Sequence, residues 1–227
     1  MKSLFDANWY EKCQYKFEYV NREVKELKNK EKLDIYDEIK LNTLLNVLKS
    51  PMEYAHRALA IFFGESSESI IKFPIWKENE TEGEFKKKIK KPKKLKKQIE
   101  CENSDILEIY KKLFKDNTCE IFNDMQNDEK HNDINTHYIE IRNTTIFSLY
   151  NDSVSEIDSI TGEEDPNIVK MSKGSSNLQE HYYEKKYYFY YKGEKIDEVF
   201  TFLNKIEGMA KEFVEDIKNY IAMSKNS

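Results

Sequence analysis

Glycine and proline are scarce in this chain of 227 residues, at 6 and 4. A barrel or sandwich with many tight turns needs more of both, and so does a Pro/Gly-rich disordered segment. Cysteine is scarcer still: Cys13, Cys101 and Cys119 are an odd number with no CxxC spacing. That pattern speaks against a disulfide framework and against a thiolate zinc site, and leaves three reduced, mostly packed thiols as the expectation. Nowhere do about 18 apolar residues run together, and the opening "MKSLFDANWYEKCQYKF" has no uninterrupted apolar core, so neither a membrane span nor a secretory leader is expected and the location is read as cytoplasmic. The sequons at Asn79, Asn143 and Asn151 carry no weight in that compartment. No GxxxxGK[ST], GxGxxG, GxSxG or HExxH is present, which leaves phosphate-loop ATPases, dinucleotide enzymes, serine hydrolases and the common zinc proteases without a motif.

Charge and periodicity are plentiful. Charged residues make up 35% of the chain and aromatic residues 13%, with a net charge of −5, a balance that favours long solvated helices around one sizeable core. From Trp9, Cys13, Phe17, Val20, Val24 and Leu27 recur at three- and four-residue steps. A second stripe carries Ile35, Ile39, Leu44, Leu45, Leu48, Met52, Ala55, Leu59 and Phe62 and stops at Gly64, with Pro51 expected to kink the helix or start a new one. The stretch 65–104 reads as a loop with an apolar plug, "IIKFPIW", followed by a basic segment. A third helix spans about 105–125, interrupted near "KDNTC", and the helical reading extends to 131.

Beyond His131 the period changes to two. "THYIEIRNTTIFSLY", "VSEIDSITGEEDPN", "NIVKMSKGSSN" and "HYYEKKYYFYYKG" read as short strands of a meander over 136–193. The series Ile196, Val199, Phe200, Leu203, Ile206, Met209, Ala210, Phe213, Val214, Ile217 and Ile221 makes 195–223 a strong amphipathic helix that needs a broad apolar partner. The expected architecture is therefore α+β and a single domain over 1–227. It is a mainly helical up-and-down bundle from 1–64, 105–131 and 195–223, with a small antiparallel sheet inserted before the C-terminal helix.

"SPMEYAHRALAIFF", "IIKFPIWKENETEGEF" and "NDEKHN", in that order and followed by a sheet and a long final helix, resemble a loosely defined set of bacterial proteins with a HEPN-like helical core. The shared features are the FPI loop and an Asn-x-x-Lys-His step, over roughly 35–223. The chain departs from that pattern at Asn132, where a basic residue is usual, and shares only Arg57 and small apolar neighbours with the Arg-containing helix. The resemblance implies a role in RNA cleavage, bacterial defence or stress response, and the catalytic members pair across a homodimer. Their Arg followed after four to six residues by His is absent, since no His follows Arg22, Arg57 or Arg142 at that spacing. The expected function is accordingly non-catalytic or divergent, the binding of RNA or a protein partner.

Arg57, Lys130 and His131 form a candidate split catalytic set for metal-independent RNA cleavage. A histidine near neutrality moves a proton, and neighbouring cations stabilise an anionic phosphorane. An ordinary helix C-terminus also favours Lys, His and Asn, so "EKHN" is compatible with no chemistry at all. His131, Asp133, His137 and Asp124 or Asp128 are suitable metal ligands by type, but no HxxxH or repeated ExxH spacing joins them, so neither a metal nor a cofactor is assigned. "KKKIKKPKKLKK", residues 86–97, holds nine lysines and no acid. Lys90, Lys91, Lys93 and Lys94 are its candidate phosphate contacts, with a solvated linker as the alternative. "YYEKKYYFYY" is read as core and interface in preference to a base-stacking platform. A purely structural or protein-interaction module remains the third functional class.

Overall fold

The computed structural model of the protein describes residues 4, 6–69, 71–89, 92–101, 104–131, 136–148, 154–161 and 179–225, and for 128–131, 136–148, 154–161 and 179–185 the backbone alone. The chain divides into two compact units, Met1–Ile134 with Phe200–Ser227, and Asn135–Val199, where the sequence suggested one. The dividing points fall at the edges of the expected sheet insertion.

The first unit is a helical bundle. α1 (Trp9–Lys28) opens on a capping box: the Asn8 side chain accepts from the Glu11 amide at 2.9 Å, and the Glu11 carboxylate accepts from the Asn8 amide at 2.8 Å. Its expected stripe, Cys13, Phe17, Val20, Val24 and Leu27, is buried throughout. α2 (Ile35–Phe62) starts at a second capping box made by Asp34 and Asp37 and runs through Pro51 as one helix. Pro51 cannot donate to the carbonyl one turn earlier. Its own carbonyl accepts from the Cys13 thiol at 3.6 Å, and Ser50 Oγ bonds the Asn46 carbonyl at 3.3 Å.

The inward stripe of α2 differs from the expected one at its start. Ile35 and Ile39 are 67% and 43% exposed, and the buried positions are Asp37, Leu41, Leu44 and Leu48. A carboxylate can occupy the stripe because Lys30 Nζ meets Asp37 Oδ1 at 2.5 Å. Burial alone would raise the Asp37 pKa, but the hydrogen bonds from Lys30 and the Asp34 amide prevail and hold it below its ordinary value.

α1 and α2 run antiparallel, tied by Glu23 to Lys40 at 2.7 Å. α7 (Val199–Lys225) lies antiparallel to α1, since Tyr10 hydrogen-bonds Glu215 whereas Asn21 donates to Glu207 at 2.7 Å. The final helix thus returns to the bundle and buries Phe202, Leu203, Ile206, Ala210, Phe213, Val214 and Ile217.

The segment expected as a loop and linker contains two helices, α3 (Glu82–Lys88) and α4 (Lys93–Glu100). Phe85, Ile89, Pro92, Leu95 and Ile99 are buried at three- and four-residue spacing, an apolar stripe made sparse by the lysines between. The FPI plug is laid onto the helices as expected. Phe73 meets the rings of His56, Phe114 and Phe213, and Trp76 stacks on Phe85 at 4.4 Å. The expected third helix is two, α5 (Asp105–Leu113) and α6 (Thr118–His131).

The second unit is a four-stranded antiparallel sheet in the order β2-β1-β3-β4, with β1 Thr136–Ser148, β2 Val154–Thr161, β3 Gln179–Tyr191 and β4 Glu194–Glu198. In the register of β1 and β3, Glu140 is the partner of Lys186 and Arg142 of Glu184. The expected strand in "NIVKMSKGSSN" lies outside the described residues. β4 corrects the expectation that the last helix starts at Lys195. Lys192 and Gly193, with φ of 52° and 81°, form a two-residue turn with both central residues left-handed, so the chain folds back as a hairpin and joins the sheet before α7 begins. Within β3, Tyr187 and Phe189 are buried and Tyr188 and Tyr190 half-buried, in keeping with the packing reading of the aromatic run. Among the described residues no helix is long and apolar enough to cross a membrane.

Phe213 contacts both Phe73 and Tyr110 from α7. Phe213→Ala is expected to cost about 3–5 kcal/mol by denaturant unfolding, because it opens a cavity between α5, α7 and the plug. A loss below about 1 kcal/mol would disprove this tie between α7 and the plug.

Candidate functional site

Arg57 and His56 are adjacent on α2 and point into different environments. His56 is 2% exposed, and its Nδ1 lies 2.5 Å from the hydroxyl of the fully buried Tyr110. Burial lowers the His56 pKa to about 4, against a smaller opposing contribution from a hydrogen bond with the Lys72 backbone. The imidazole is therefore neutral. A ring that donates to the Lys72 carbonyl accepts at Nδ1 from Tyr110, which leaves neither nitrogen wanting. His56 is not among the candidate residues that the sequence suggested. The available signal was its place on the stripe of Met52, Ala55 and Leu59, which marks it as interior.

Arg57 is exposed and donates from Nη2 to the Ser67 carbonyl, pinning the loop after α2. It lines a cleft of about 520 Å³ with Trp9, Lys12, Tyr54, Phe62 and Lys225. Lys130 and His131, the other members of the candidate set, lie elsewhere in the sequence, at the end of α6. They occupy the last turn of α6, and their side chains lie outside the described residues.

On α6, Asn123 Oδ1 lies 2.8 Å from Lys49 Nζ of α2.

The part of α6 that precedes "EKHN" is packed into the interior. Asn123, Met125 and Gln126 are buried. Asn123 and Gln126 share a face with Cys119, whose thiol burial pushes up to about 12. Gln126 is fully buried, and among the described residues neither atom of its side-chain amide has a hydrogen-bond partner. The metal-ligand candidates Asp128, His131, Asp133 and His137 have side chains outside the described residues.

The lysine segment is divided by its partners. Lys86 pairs with Glu82 at 2.7 Å, Lys88 with Glu80 at 2.5 Å and Lys96 with Glu100 at 3.6 Å. Lys93, Lys94 and Lys97 are exposed on α4 and make no ion pair among the described residues. Lys90 and Lys91 lie outside the described residues. The solvated-linker alternative is therefore corrected: Leu95 and Ile99 anchor the lysines to a helix. Of the cysteines, Cys13 and Cys119 are buried and Cys101 is exposed, all as free thiols.

No family model matches the chain, and neither a curated protein nor a solved structure matches it.

Two outcomes test these interiors. The unfolded chain takes up a proton on His56 near its ordinary value of 6.5 and the folded chain only near 4. Stability from this residue is thus complete above pH 6.5 and lost as pH falls toward 4, by about 2 kcal/mol at pH 5. Urea unfolding at pH 7 and pH 5 should show that difference in the parent and little of it in His56→Gln; equal pH slopes in both would refute the assignment. Gln126→Leu should stabilise the fold by about 1–3 kcal/mol, since it removes an unpartnered buried amide at similar volume. Destabilisation instead would mean that the amide has a partner in solution.

Proposed function

We propose that the protein binds RNA without cleaving it, through phosphate contacts made by the lysines of α4. A HEPN-like identity, with the role in bacterial defence or stress response that it implies, belongs to the same reading. What supports that identity is the succession of helix, FPI plug, helix, sheet and final helix.

The observation that carries RNA binding is the local electrostatics of α4. α1, α2, α3 and α5 each have a side-chain N-cap, from Asn8, Asp34, Thr81 and Ser104. α4 has Pro92 at that position, no side-chain cap hydrogen bond and no acid in its first turn. Lys93 and Lys94 instead stand at the positive end of the helix dipole, an arrangement that costs stability in the free protein. Phosphate groups relieve it twice over, by pairing with the ammonium groups and by accepting from the uncapped amides. A protein partner would need an acidic surface to do the same. Phosphodiester is favoured because Lys acts as a point charge on a mobile stem, suited to a backbone of regular charge and to little else.

Lys93→Gln, Lys94→Gln and Lys97→Gln together test the proposal. Anisotropy of a labelled single-stranded RNA, read between 50 and 200 mM KCl, should show weaker binding to all sequences alike and a slope of log affinity against log salt shallower by about 2, at roughly 0.7 per phosphate contact. An unchanged slope would refute the α4 interface. Parallel incubation in EDTA reports on hydrolysis, and cleavage lost in His131→Ala would overturn the non-catalytic assignment.

A further inference from the structure

The cleft around Arg57 is built by the start of α1 and the ends of α2 and α7, apart in the chain from α4. On α1 its surface does not stop at Lys12. Lys16 and Tyr19 follow at steps of four and three residues, on the same helix face as Trp9 and Lys12 and away from the inward stripe of Cys13, Phe17 and Val20. We propose that the cleft and this outer face of α1 dock a short acidic amphipathic helix from a partner protein, its carboxylates set on Lys12, Arg57 and Lys225 and its apolar anchor laid against Trp9, Ile61 and Phe62. This site stands whether or not α4 binds RNA.

Charge complementarity is the first ground. The chain as a whole is acidic, with net charge −5, yet the charged groups that line this cleft among the described residues are the cations Lys12, Arg57 and Lys225. Lys16 extends the positive rim along α1, its Nζ 5.8 Å from the centre of the Tyr54 ring. A concave surface that gathers one sign of charge focuses its potential and draws in a segment of the opposite sign. Arg57 is the orienting member. Its Nη2 donates to the Ser67 carbonyl, and among the described residues its other N–H groups are left for bidentate contact with a carboxylate. The exposed carboxylate of Glu53 beside Tyr54 repels an acid there, so the acids of the partner belong toward Arg57.

Apolar surface and shape are the second ground. Trp9, Tyr54 and Phe62 are half-buried in the cleft, and Ile61 in its lining is 40% exposed. Tyr15 and Tyr19, each 38% exposed, carry large apolar groups further along α1. Ten residues separate Trp9 from Tyr19, about 15 Å at 1.5 Å per residue. That is the length of a helix which offers a groove anchors at i, i+3 or i+4, and i+7. A volume of about 520 Å³ takes in large side chains but not a whole helix, which would lie across the mouth. A bilayer takes up aromatic and aliphatic groups that protrude, whereas the aromatic groups here are recessed between helices, so a protein segment is favoured over a membrane surface.

A displayed library of random peptides, each about a dozen residues long to span the groove, is selected on the intact protein and finds an occupant without assuming its sequence. Enriched peptides should combine Asp or Glu with Leu, Ile, Phe or Trp at three- and four-residue spacing. A synthetic peptide of the enriched sequence should change the fluorescence of Trp9 saturably, since the other tryptophan, Trp76, is stacked on Phe85 elsewhere in the bundle. Its affinity should fall as salt rises. Lys12→Gln with Lys225→Gln, checked for unchanged circular dichroism, should weaken binding roughly tenfold or more, and so should Arg57→Gln, whereas the triple α4 variant should not alter it. Should Arg57→Gln fail to fold, the lysine pair decides the matter. Selection that enriches no peptide joining acids to apolar anchors, or equal affinity in the folded lysine variant, would overturn the proposal. So would displacement of the peptide by single-stranded RNA, which would assign the cleft to nucleic acid, or sedimentation with phosphatidylglycerol vesicles that the lysine variant loses, which would assign it to a membrane surface.

Discussion

Tyr110 is fully buried, and its contacts hold together parts of the chain that are far apart in sequence. Its hydroxyl lies against His56 of α2, its ring against Phe85 of α3 and Phe213 of α7, and it projects from α5. Phe73 of the FPI plug closes the cluster from the side of His56 and Phe213. Burying this much aromatic surface stabilises the bundle only while the one hydroxyl and the one imidazole inside it satisfy each other, because either polar group alone would be costly in an apolar interior. The hydrogen bond between them thereby sets the height of α5 on α2.

Along α2 the surroundings change. At the C-terminal end, Arg57 stands in a cation-rimmed aromatic cleft. In the middle, Lys49 meets Asn123 of α6 at 2.8 Å, and Asn42, Asn123 and Gln126 are buried polar positions.

Electrostatic frustration distinguishes α4 from its neighbours. α1, α2, α3, α5 and α6 carry a carboxylate in the first turn, and lysines lie near acids, as Lys86 and Lys111 do beside Glu82 at 2.7 and 3.1 Å. The carboxyl of Glu82 is held below its ordinary range first by the hydrogen bond from Lys86 and then by that from Lys111. Local consistency of this kind is the usual state of a folded chain, and departures from it concentrate where a partner completes the balance. The first turn of α4 is such a departure.

Periodicity alone determined the long elements: α1, most of α2, α7, the aromatic strand and the placement of a sheet before the last helix were all legible, since burial of one face repeats every 3.6 or 2 residues and leaves that period in the sequence. The plug was legible too, because "FPIW" is too apolar for a free loop. α3 and α4 were hidden by lysines around a thin stripe, and β4 by two residues, Lys192 and Gly193, whose left-handed backbone sends the chain back on itself. The identity of Arg57 as a cation worth attention came from the sequence, and its neighbours did not. Lys12 and Lys225 are remote in the chain, and only the antiparallel return of α7 along α1 brings their helix ends to one cleft. A one-dimensional pattern records which face of an element is buried, but which end of one helix lies beside which end of another is settled by packing, here by what Tyr110 and His56 must do to stay paired.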